Sequence, residues 1–337
     1  SGSGSGVAAA SSAHGSADHV IGQFSHLHRL LLVHGRWHYE RICLATLYMV
    51  YRGVVLTAVL FLYNLRTGMS SASFVESAFL TSDAFFFALV PAVAVGTLDQ
   101  PIGAETASLF PQGYRCGTPT RDDNARRLFS WILTGAVHGI LAFHLTVWLW
   151  ASPALSSAAT SQQTVTRGGD SFDASVLGTA VYFNCLILGN LKLSLEMRMH
   201  SAPQLVAIWL PCALWLLFAF AWDRWQSAAI RMGSDGVYHG SFTAACRAAP
   251  FWLGQLLVPV ACIFPDLLFK VWIAQCRPRV SDLLRRYDAL LARARLQSRP
   301  DLARLLLRRP TSRTGLLLRR PTSRTGLLLR RPTFGTQ

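Results

Sequence analysis

Six long apolar runs constrain this chain more than any other feature of its sequence. The runs occupy 42–65, 74–96, 129–151, 174–197, 203–222 and 250–274. A helix needs about 20 mostly apolar residues to cross a hydrocarbon core of about 30 Å, whereas buried helices of soluble proteins are usually shorter and amphipathic. The composition is 51% hydrophobic and only 15% charged, which agrees with a membrane protein. The sequence therefore predicts an all-α polytopic membrane bundle with six transmembrane helices.

The distribution of Lys and Arg predicts the orientation of these helices, because cytoplasmic loops retain basic residues. The connection between the second and third runs carries four arginines, and the tail after residue 276 is dense in arginine. The loop at 152–172 carries a single Arg, whereas the loop at 223–248 carries three and follows the rule less well. We therefore expect both termini to be cytoplasmic. The net charge of +15 favours anionic lipid headgroups as partners of the tail, and no nucleic-acid-binding motif accompanies it.

The cysteines and histidines do not form a pattern typical of a bound metal. The seven cysteines are scattered without a C-x-x-C pair, so we predict neither a disulfide framework nor a metal site from them. The histidines at 26, 28, 34 and 38 are close in sequence. His26 and His28 would diverge on a helix, and no carboxylate or Cys completes a tetrahedral set. The P-loop, the Gly-x-Ser-x-Gly elbow and the His-Glu-x-x-His pair are also absent, so we assign no catalytic residue.

Arg52 and Asp83 are the two charged residues that fall well inside the first two apolar runs. A charge near the middle of a membrane is retained when it faces the protein interior, water or a partner. At about 1.5 Å of rise per residue, the two side chains lie at depths that differ by about 6 Å, which an Arg can span. The sequence leaves two hypotheses open: an intramembrane ion pair, or two separate charges that snorkel or line a water-filled crevice.

Near the end of the chain, the segment 281–297 has an apolar stripe opposite its arginines. The stripe consists of Leu283, Leu284, Tyr287 and two further leucines. This pattern predicts an amphipathic helix on an anionic leaflet. An eleven-residue unit then occurs at 305–315 and again at 316–326, with a partial third copy from 327. With Pro and Gly in every unit, the repeat favours a disordered tandem duplication over a solenoid.

Several short motifs resemble the C-terminal transmembrane half of the type IV P-type ATPases, the phospholipid flippases. Residues 30–43 resemble the approach to the fifth helix of that family, where a Leu-Leu-Val-His-Gly-Arg-Trp segment joins the phosphorylation domain to the membrane. Further matches follow in the family's order at 17–24, 91–100, 110–114, 131–138, 177–182, 190–192 and 257–266. The resemblance thus covers residues 17 to about 275, and the six runs correspond to helices five to ten.

The resemblance divides the chain into three regions. Residues 1–38 would be the end of a phosphorylation domain and its linker, 39–276 the transmembrane domain, and 277–337 a basic cytoplasmic tail. The family's Asp-Lys-Thr-Gly, Asp-Gly-Glu-Thr and Gly-Asp-Gly-x-Asn-Asp motifs are absent from these 337 residues. We therefore expect this fragment to hold no cofactor and to be inactive alone, although the intact relative would use ATP and Mg²⁺.

The resemblance also implies partners, a location and a lipid pathway. The intact protein would move phospholipid from the exoplasmic to the cytoplasmic leaflet of a eukaryotic plasma membrane or of Golgi and endosomal membranes, with an accessory β-subunit of two transmembrane helices. The family's Tyr-Lys-Asn in helix five contributes to the lipid pathway, and here it reads Tyr51, Arg52 and Gly53. An Asn of helix six is replaced by Ala84, beside Asp83. The alternatives are a truncated or diverged scaffold protein without enzymatic activity, or an unrelated secondary transporter, which would show inverted repeats that we do not find.

Overall fold

The structure is a computed structural model, and it describes residues 23–69, 74–111, 121–151, 171–231, 240–276 and 280–296. Two compact units divide the chain at Pro278 and Arg279. The described part of the first unit is a helical bundle, and that of the second is one helix. The predicted repeats at 305–333 and the segment 1–22 lie outside the described residues.

Every regular element in the described part of the chain is helical. The long helices are α1 (Ser25–Arg66), α2 (Ser77–Leu98), α4 (Arg121–Ala151), α5 (Ser171–Glu196), α6 (Ala202–Arg231) and α8 (Ala249–Cys276). Three shorter helices are α3 (Ala104–Leu109), α7 (Ser241–Arg247) and α9 (Val280–Leu296).

The six long helices are each long and apolar enough to cross a membrane. Each contains one of the six apolar runs, apart from a few residues at the ends, so the prediction of a six-span all-α bundle is confirmed. The predicted loop at 223–248 is wrong in part. α6 continues to Arg231, and α7 occupies Ser241–Arg247. Asp223 of α6 accepts hydrogen bonds from Gly240 N and from Thr243 Oγ1 of α7, which tie these two helices together.

Two of the long helices change their hydrogen-bond register within the chain. α1 contains a π-helical segment at Leu30–Gly35, and α2 contains another at Asp83–Phe87. In a π-helix the amide bonds to the carbonyl five residues earlier, and such segments are rare and often found at functional sites. The second π segment begins at the buried carboxylate of α2, so it sets the direction of that side chain.

α5 lies at the centre of the bundle. It packs against α1, α4, α6, α7 and α8. In its most apolar window 78% of the residues are buried inside the protein, against 17% for α8. Such a central helix contacts other helices rather than lipid. Its polar side chains can therefore form hydrogen bonds with those neighbouring helices.

Glycines permit the closest approaches of the helices. A Cβ at Gly139 of α4 would lie 2.9 Å from the Val55 carbonyl oxygen of α1. A Cβ at Gly178 of α5 would lie 1.8 Å from the Phe74 carbonyl oxygen, which no side chain tolerates. Small residues at such contacts are typical of membrane helix packing, which depends on van der Waals contact rather than on the hydrophobic effect.

The end of the bundle where α2 stops is held by one buried carboxylate. Asp99 Oδ1 accepts the backbone N–H groups of Arg198 at 3.2 Å and of Met199 at 3.0 Å. Arg41 of α1 donates to the Asp99 carbonyl oxygen. Glu40 of α1 pairs with Arg198 at 3.0 Å. Helix α1, the end of α2 and the α5–α6 connection are therefore joined at this end.

In the second unit, α9 spans Val280–Leu296, where the sequence predicted an amphipathic helix over 281–297. Leu284 and Leu291 are buried, whereas Leu290 is 53% exposed. The predicted stripe is therefore not uniformly exposed. Burial raises the pKa of Tyr287 above its ordinary value.

Candidate functional site

Tyr51 and Arg52 lie on the buried face of α1. Tyr48, Tyr51, Arg52 and Val55 are all buried, and their spacing of three and four residues places them along one side of the helix. Gly53 is exposed, and a Cβ added there would meet no atom within 4 Å. The three residues of the predicted lipid pathway are thus divided, with two facing the protein interior and one facing outward.

Arg52 and Asp83 are in direct contact between α1 and α2. Arg52 Nε donates to Asp83 Oδ2 at 3.1 Å, and Arg52 Nη2 donates to Asp83 Oδ1. The two side chains are 7% and 11% exposed. Such a bidentate pair of a guanidinium and a carboxylate is the strong form of an ion pair, because both ions are held in a fixed geometry. The two side chains are therefore paired in the structure, and that they pair within a membrane stays a prediction.

The remaining donors of Arg52 are also engaged. Arg52 Nη1 donates to the Tyr48 hydroxyl at 3.0 Å and to the Phe87 carbonyl oxygen at 3.4 Å. The Tyr48 hydroxyl donates in turn to Asn190 Oδ1 of α5 at 3.0 Å. All three nitrogens of the guanidinium therefore have partners, as a buried charge requires.

Tyr182 of α5 completes the surroundings of Asp83. Its hydroxyl lies 2.8 Å from Asp83 Oδ1 and 3.1 Å from the Phe79 carbonyl oxygen. We call Arg52, Asp83, Tyr48 and Tyr182 the arginine network. Neighbouring aromatic rings enclose this network: Phe79 stacks on Tyr182, with their ring centroids 5.8 Å apart.

A second polar network begins at Tyr51, next to Arg52 in sequence. The Tyr51 hydroxyl lies 2.7 Å from His138 Nδ1 of α4, and His138 Nε2 lies 3.7 Å from Asp266 Oδ2 of α8. The same carboxylate oxygen accepts from Lys192 Nζ of α5 at 2.5 Å. We call Tyr51, His138, Asp266 and Lys192 the lysine network.

The lysine network corrects one expectation from the sequence. The spacing of Lys192 with Glu196, and of Asp266 with Lys270, predicts two ion pairs within single helices. Lys192 does contact Glu196 at 3.8 Å, but Asp266 pairs with Lys192 of the adjacent helix. Lys270 pairs with Glu196 at 3.0 Å, also across the helix interface. The packing of α5 against α8 makes the interhelical pairs the shorter ones.

Sequence reasoning missed the partners of the charged residues. His138, Tyr182, Asn190 and Lys192 stand in the motifs at 131–138, 177–182 and 190–192, but those motifs alone did not show what the side chains contact. Among the described residues, no group of three or more His, Cys, Asp or Glu side chains is arranged to hold a metal ion. The site is therefore a set of hydrogen bonds and ion pairs joining α1, α2, α4, α5 and α8. It can bind or position polar groups within an apolar bundle.

Comparison with known proteins decides the family. The family described as "Phospholipid-translocating P-type ATPase C-terminal" matches residues 14–279. The chain belongs to this family. The match covers all six apolar helices, so the bundle corresponds to the C-terminal region that this family describes.

Individual relatives agree with this assignment. "Probable phospholipid-transporting ATPase 12" of Arabidopsis thaliana is 29% identical over 255 residues, which are 76% of this chain and 20% of that protein. "Phospholipid-transporting ATPase DRS2" of Saccharomyces cerevisiae is 26% identical over 263 residues, which are 78% of this chain and 18% of that protein. The chain therefore spans about a fifth of the length of the curated relatives it matches.

Proposed function

We propose that this chain is the membrane portion of an ATP-driven flippase that moves phospholipid from the exoplasmic to the cytoplasmic leaflet. Its family, its six apolar helices and the names of its relatives support this proposal. Transport would need ATP and Mg²⁺ bound by cytosolic domains, whose signature motifs do not occur in these 337 residues. We accordingly expect the chain alone to hydrolyse no ATP.

The observation that carries the proposal is the arginine network. Arg52 stands where the family resemblance places a lipid-pathway residue, and it joins α1 to Asp83 of α2 and, through Tyr48, to Asn190 of α5. Buried charges inside a membrane are expensive and usually functional. A change in the packing of these helices would alter the partners of the guanidinium, so the network can respond to movements of α1.

Tyr51 and Gly53 complete the proposed lipid pathway. Gly53 is exposed and has free space beside it, so a headgroup or another helix of the intact protein could approach α1 there. Arg52 differs from the Lys of the family pattern by its planar fork, which holds Asp83 through two nitrogens. The two hydrogen bonds to Asp83 hold the guanidinium of Arg52 more tightly than the ammonium of a Lys would be held.

Partners, boundaries and location follow from the same proposal. We propose an accessory β-subunit with two transmembrane helices as the protein partner, and anionic lipid headgroups as partners of the basic tail at 277–337. We propose 1–38 as the end of a phosphorylation domain with its linker, and 39–276 as the transmembrane domain. The membrane would be a plasma, Golgi or endosomal membrane of a eukaryote.

Glycosylation mapping tests the proposed orientation. With both termini in the cytoplasm, acceptor sites engineered into 152–170 and 232–239 should be modified, because those segments would face the exoplasmic side. Acceptor sites at 112–120 should remain unmodified. Modification at 112–120 with none at the other two segments would show that the orientation is opposite to the proposed one.

A chimera tests transport directly. Residues 14–279 would replace the matching part of the Arabidopsis thaliana relative, expressed in cells without other flippase activity. The expected result is ATP-dependent uptake of a fluorescent phospholipid above that of a matched chimera in which the phosphorylated Asp of the relative is changed to Asn. Formation of the acid-stable phosphoenzyme measures whether the cytosolic domains work.

A scaffold role is the alternative outcome of the same experiment. A chimera that forms the phosphoenzyme but moves no lipid, with Arg52→Lys and Gly53→Asn restoring uptake, would identify a diverged protein that has lost transport. If those two changes also fail to restore uptake, the lipid pathway is not at these residues.

A further inference from the structure

Two small cavities lie along the interface between α2 and α5. The outer cavity lies between α2, α5, α6 and α7, with a volume of about 10 Å³. Its lining residues include Phe79, Thr179, Ala219, Asp223 and Ser241. The inner cavity, also about 10 Å³, lies beside the arginine network. A volume of this size holds about one water molecule.

The outer cavity has the polar lining that a water molecule needs. Ser241 is only 2% exposed, and its Oγ has no hydrogen-bond partner in the protein. Asp223 is fixed at the cavity because it accepts from Gly240 N at 2.6 Å and Thr243 Oγ1 at 2.5 Å. Buried polar atoms are rarely left unpaired, so a water here would satisfy the Ser241 hydroxyl.

The inner cavity reaches the ion pair itself. Arg52, Asp83 and Tyr182 line it, together with Cys185 and two leucines. The bidentate pair already engages both carboxylate oxygens of Asp83. A water beside it would solvate the remaining lone pairs and reduce the cost of holding two charges inside a membrane.

Successive turns of the same two helices line the two cavities. Phe79 and Thr179 line the outer one, while Asp83 and Tyr182 line the inner one. One helical turn is about 5.4 Å, which is about two O–H···O hydrogen-bond lengths, so one hydroxyl between two waters could link them. The Tyr182 hydroxyl contacts one lining residue of each cavity, the Phe79 carbonyl oxygen at 3.1 Å and Asp83 Oδ1 at 2.8 Å.

We propose that the two cavities are successive stations of one water path, which hydrates the Arg52–Asp83 pair from the α6–α7 end of the bundle. Tyr182 separates the stations, and rotation of its side chain lets water pass. The ligand is water, held at the outer station by Ser241 and Asp223. This proposal concerns hydration and does not depend on whether the chain transports lipid.

Hydroxyl-radical labelling of the full chain in lipid nanodiscs tests the path. Radicals generated from ¹⁸O-labelled water modify side chains beside bound water, and mass spectrometry locates the label. Cys185 lines the inner cavity and is 7% exposed, whereas Cys262 of α8 is 0% exposed, lines neither cavity and is the buried control. We expect at least about threefold more labelling at Cys185 than at Cys262, since Cys185 lines a cavity large enough for one water.

Two blocking variants test the route. Ala219→Val fills the outer cavity, and Thr179→Val removes a hydroxyl from its lining at nearly unchanged volume. Either change should lower the labelling of Cys185 by about threefold or more while Cys262 is unchanged, because the outer station loses space or polarity. Tyr182→Phe removes the separating hydroxyl and should raise the labelling of Cys185. If one blocking variant fails to fold, the other still decides the question.

Two results would overturn the proposal. Equal labelling of Cys185 and Cys262 in the unmodified chain would mean that the inner cavity holds no water. Unchanged labelling of Cys185 in a folded blocking variant would mean that water reaches the ion pair by another route.

Discussion

The arginine network and the lysine network are two solutions to the same problem of charge in an apolar bundle. The Arg52–Asp83 pair is enclosed, and aromatic hydroxyls satisfy both of its members. The lysine network continues through Glu196 to Lys270, whose side chain is 44% exposed. An enclosed pair has at most an ordered water molecule to replace a lost partner, whereas a pair that extends to the helix ends can rearrange. The two networks should therefore respond differently to the loss of one charge.

Removing one member of the enclosed pair should have the largest effect. Arg52→Ala or Asp83→Ala leaves a buried charge unpaired, which costs about 3–5 kcal/mol in buried ion pairs. The expected result is a large loss of folded protein in detergent, measured by the monodisperse fraction in size-exclusion chromatography and by the melting temperature.

The double variant is the control for this prediction. Arg52→Ala combined with Asp83→Ala should lose less stability than the sum of the two single losses, because neither charge is then stranded. Additive losses would mean that the two charges do not stabilise each other. The arginine network would then not differ from the lysine network in its response to the loss of a charge.

Matched changes of Asp to Asn compare the two carboxylates at nearly constant volume. Asp83→Asn should destabilise more than Asp266→Asn, because Lys192 retains Glu196 at 3.8 Å whereas Arg52 has no other carboxylate among its hydrogen-bond partners. We expect a cost of about 1–3 kcal/mol for Asp266→Asn, as for a hydrogen bond to a charged group. Equal shifts in melting temperature would contradict the comparison.

The two tyrosines adjoining these networks offer a finer comparison. Tyr182→Phe removes a donor to a carboxylate and should cost about 1.5–3 kcal/mol, whereas Tyr51→Phe removes a contact with His138 and should cost about 0.5–1.5 kcal/mol. Thermal unfolding of both variants measures the order. A larger loss for Tyr51→Phe would place the more important hydrogen bond in the lysine network.

Lys270→Gln should have the smallest effect. Its ion pair with Glu196 is partly exposed, and exposed pairs contribute below about 1 kcal/mol and are screened by salt. The melting temperature should therefore change little, and any change should shrink as the salt concentration rises. A loss as large as that of Asp83→Asn would show that the lysine network is enclosed as well.

The apolar runs of the sequence were enough to predict the fold class and the positions of the spans. They were not enough to predict the π segments of α1 and α2 or the extension of α6 to Arg231, because these depend on contacts between helices. The charges of Arg52 and Asp83 were visible as anomalies within apolar runs, and their similar depth made a pair one of two hypotheses. The roles of Tyr182 and His138 were hidden, because a Tyr or a His in a span is ordinary without its partner.

The sequence by itself determined that this chain has six helices long and apolar enough to cross a membrane. It also determined that the chain belongs to the family of the phospholipid-translocating P-type ATPases. The length of an apolar run and the order of short motifs are local properties, so both can be recognised in the sequence alone. Tertiary structure alone decided which helix is central, that Asp266 pairs with Lys192 rather than Lys270, and that both oxygens of Asp83 meet Arg52. Those choices depend on the rotation and depth of each helix, which are set by close packing at residues such as Gly139 and Gly178 and not by the composition of any one helix.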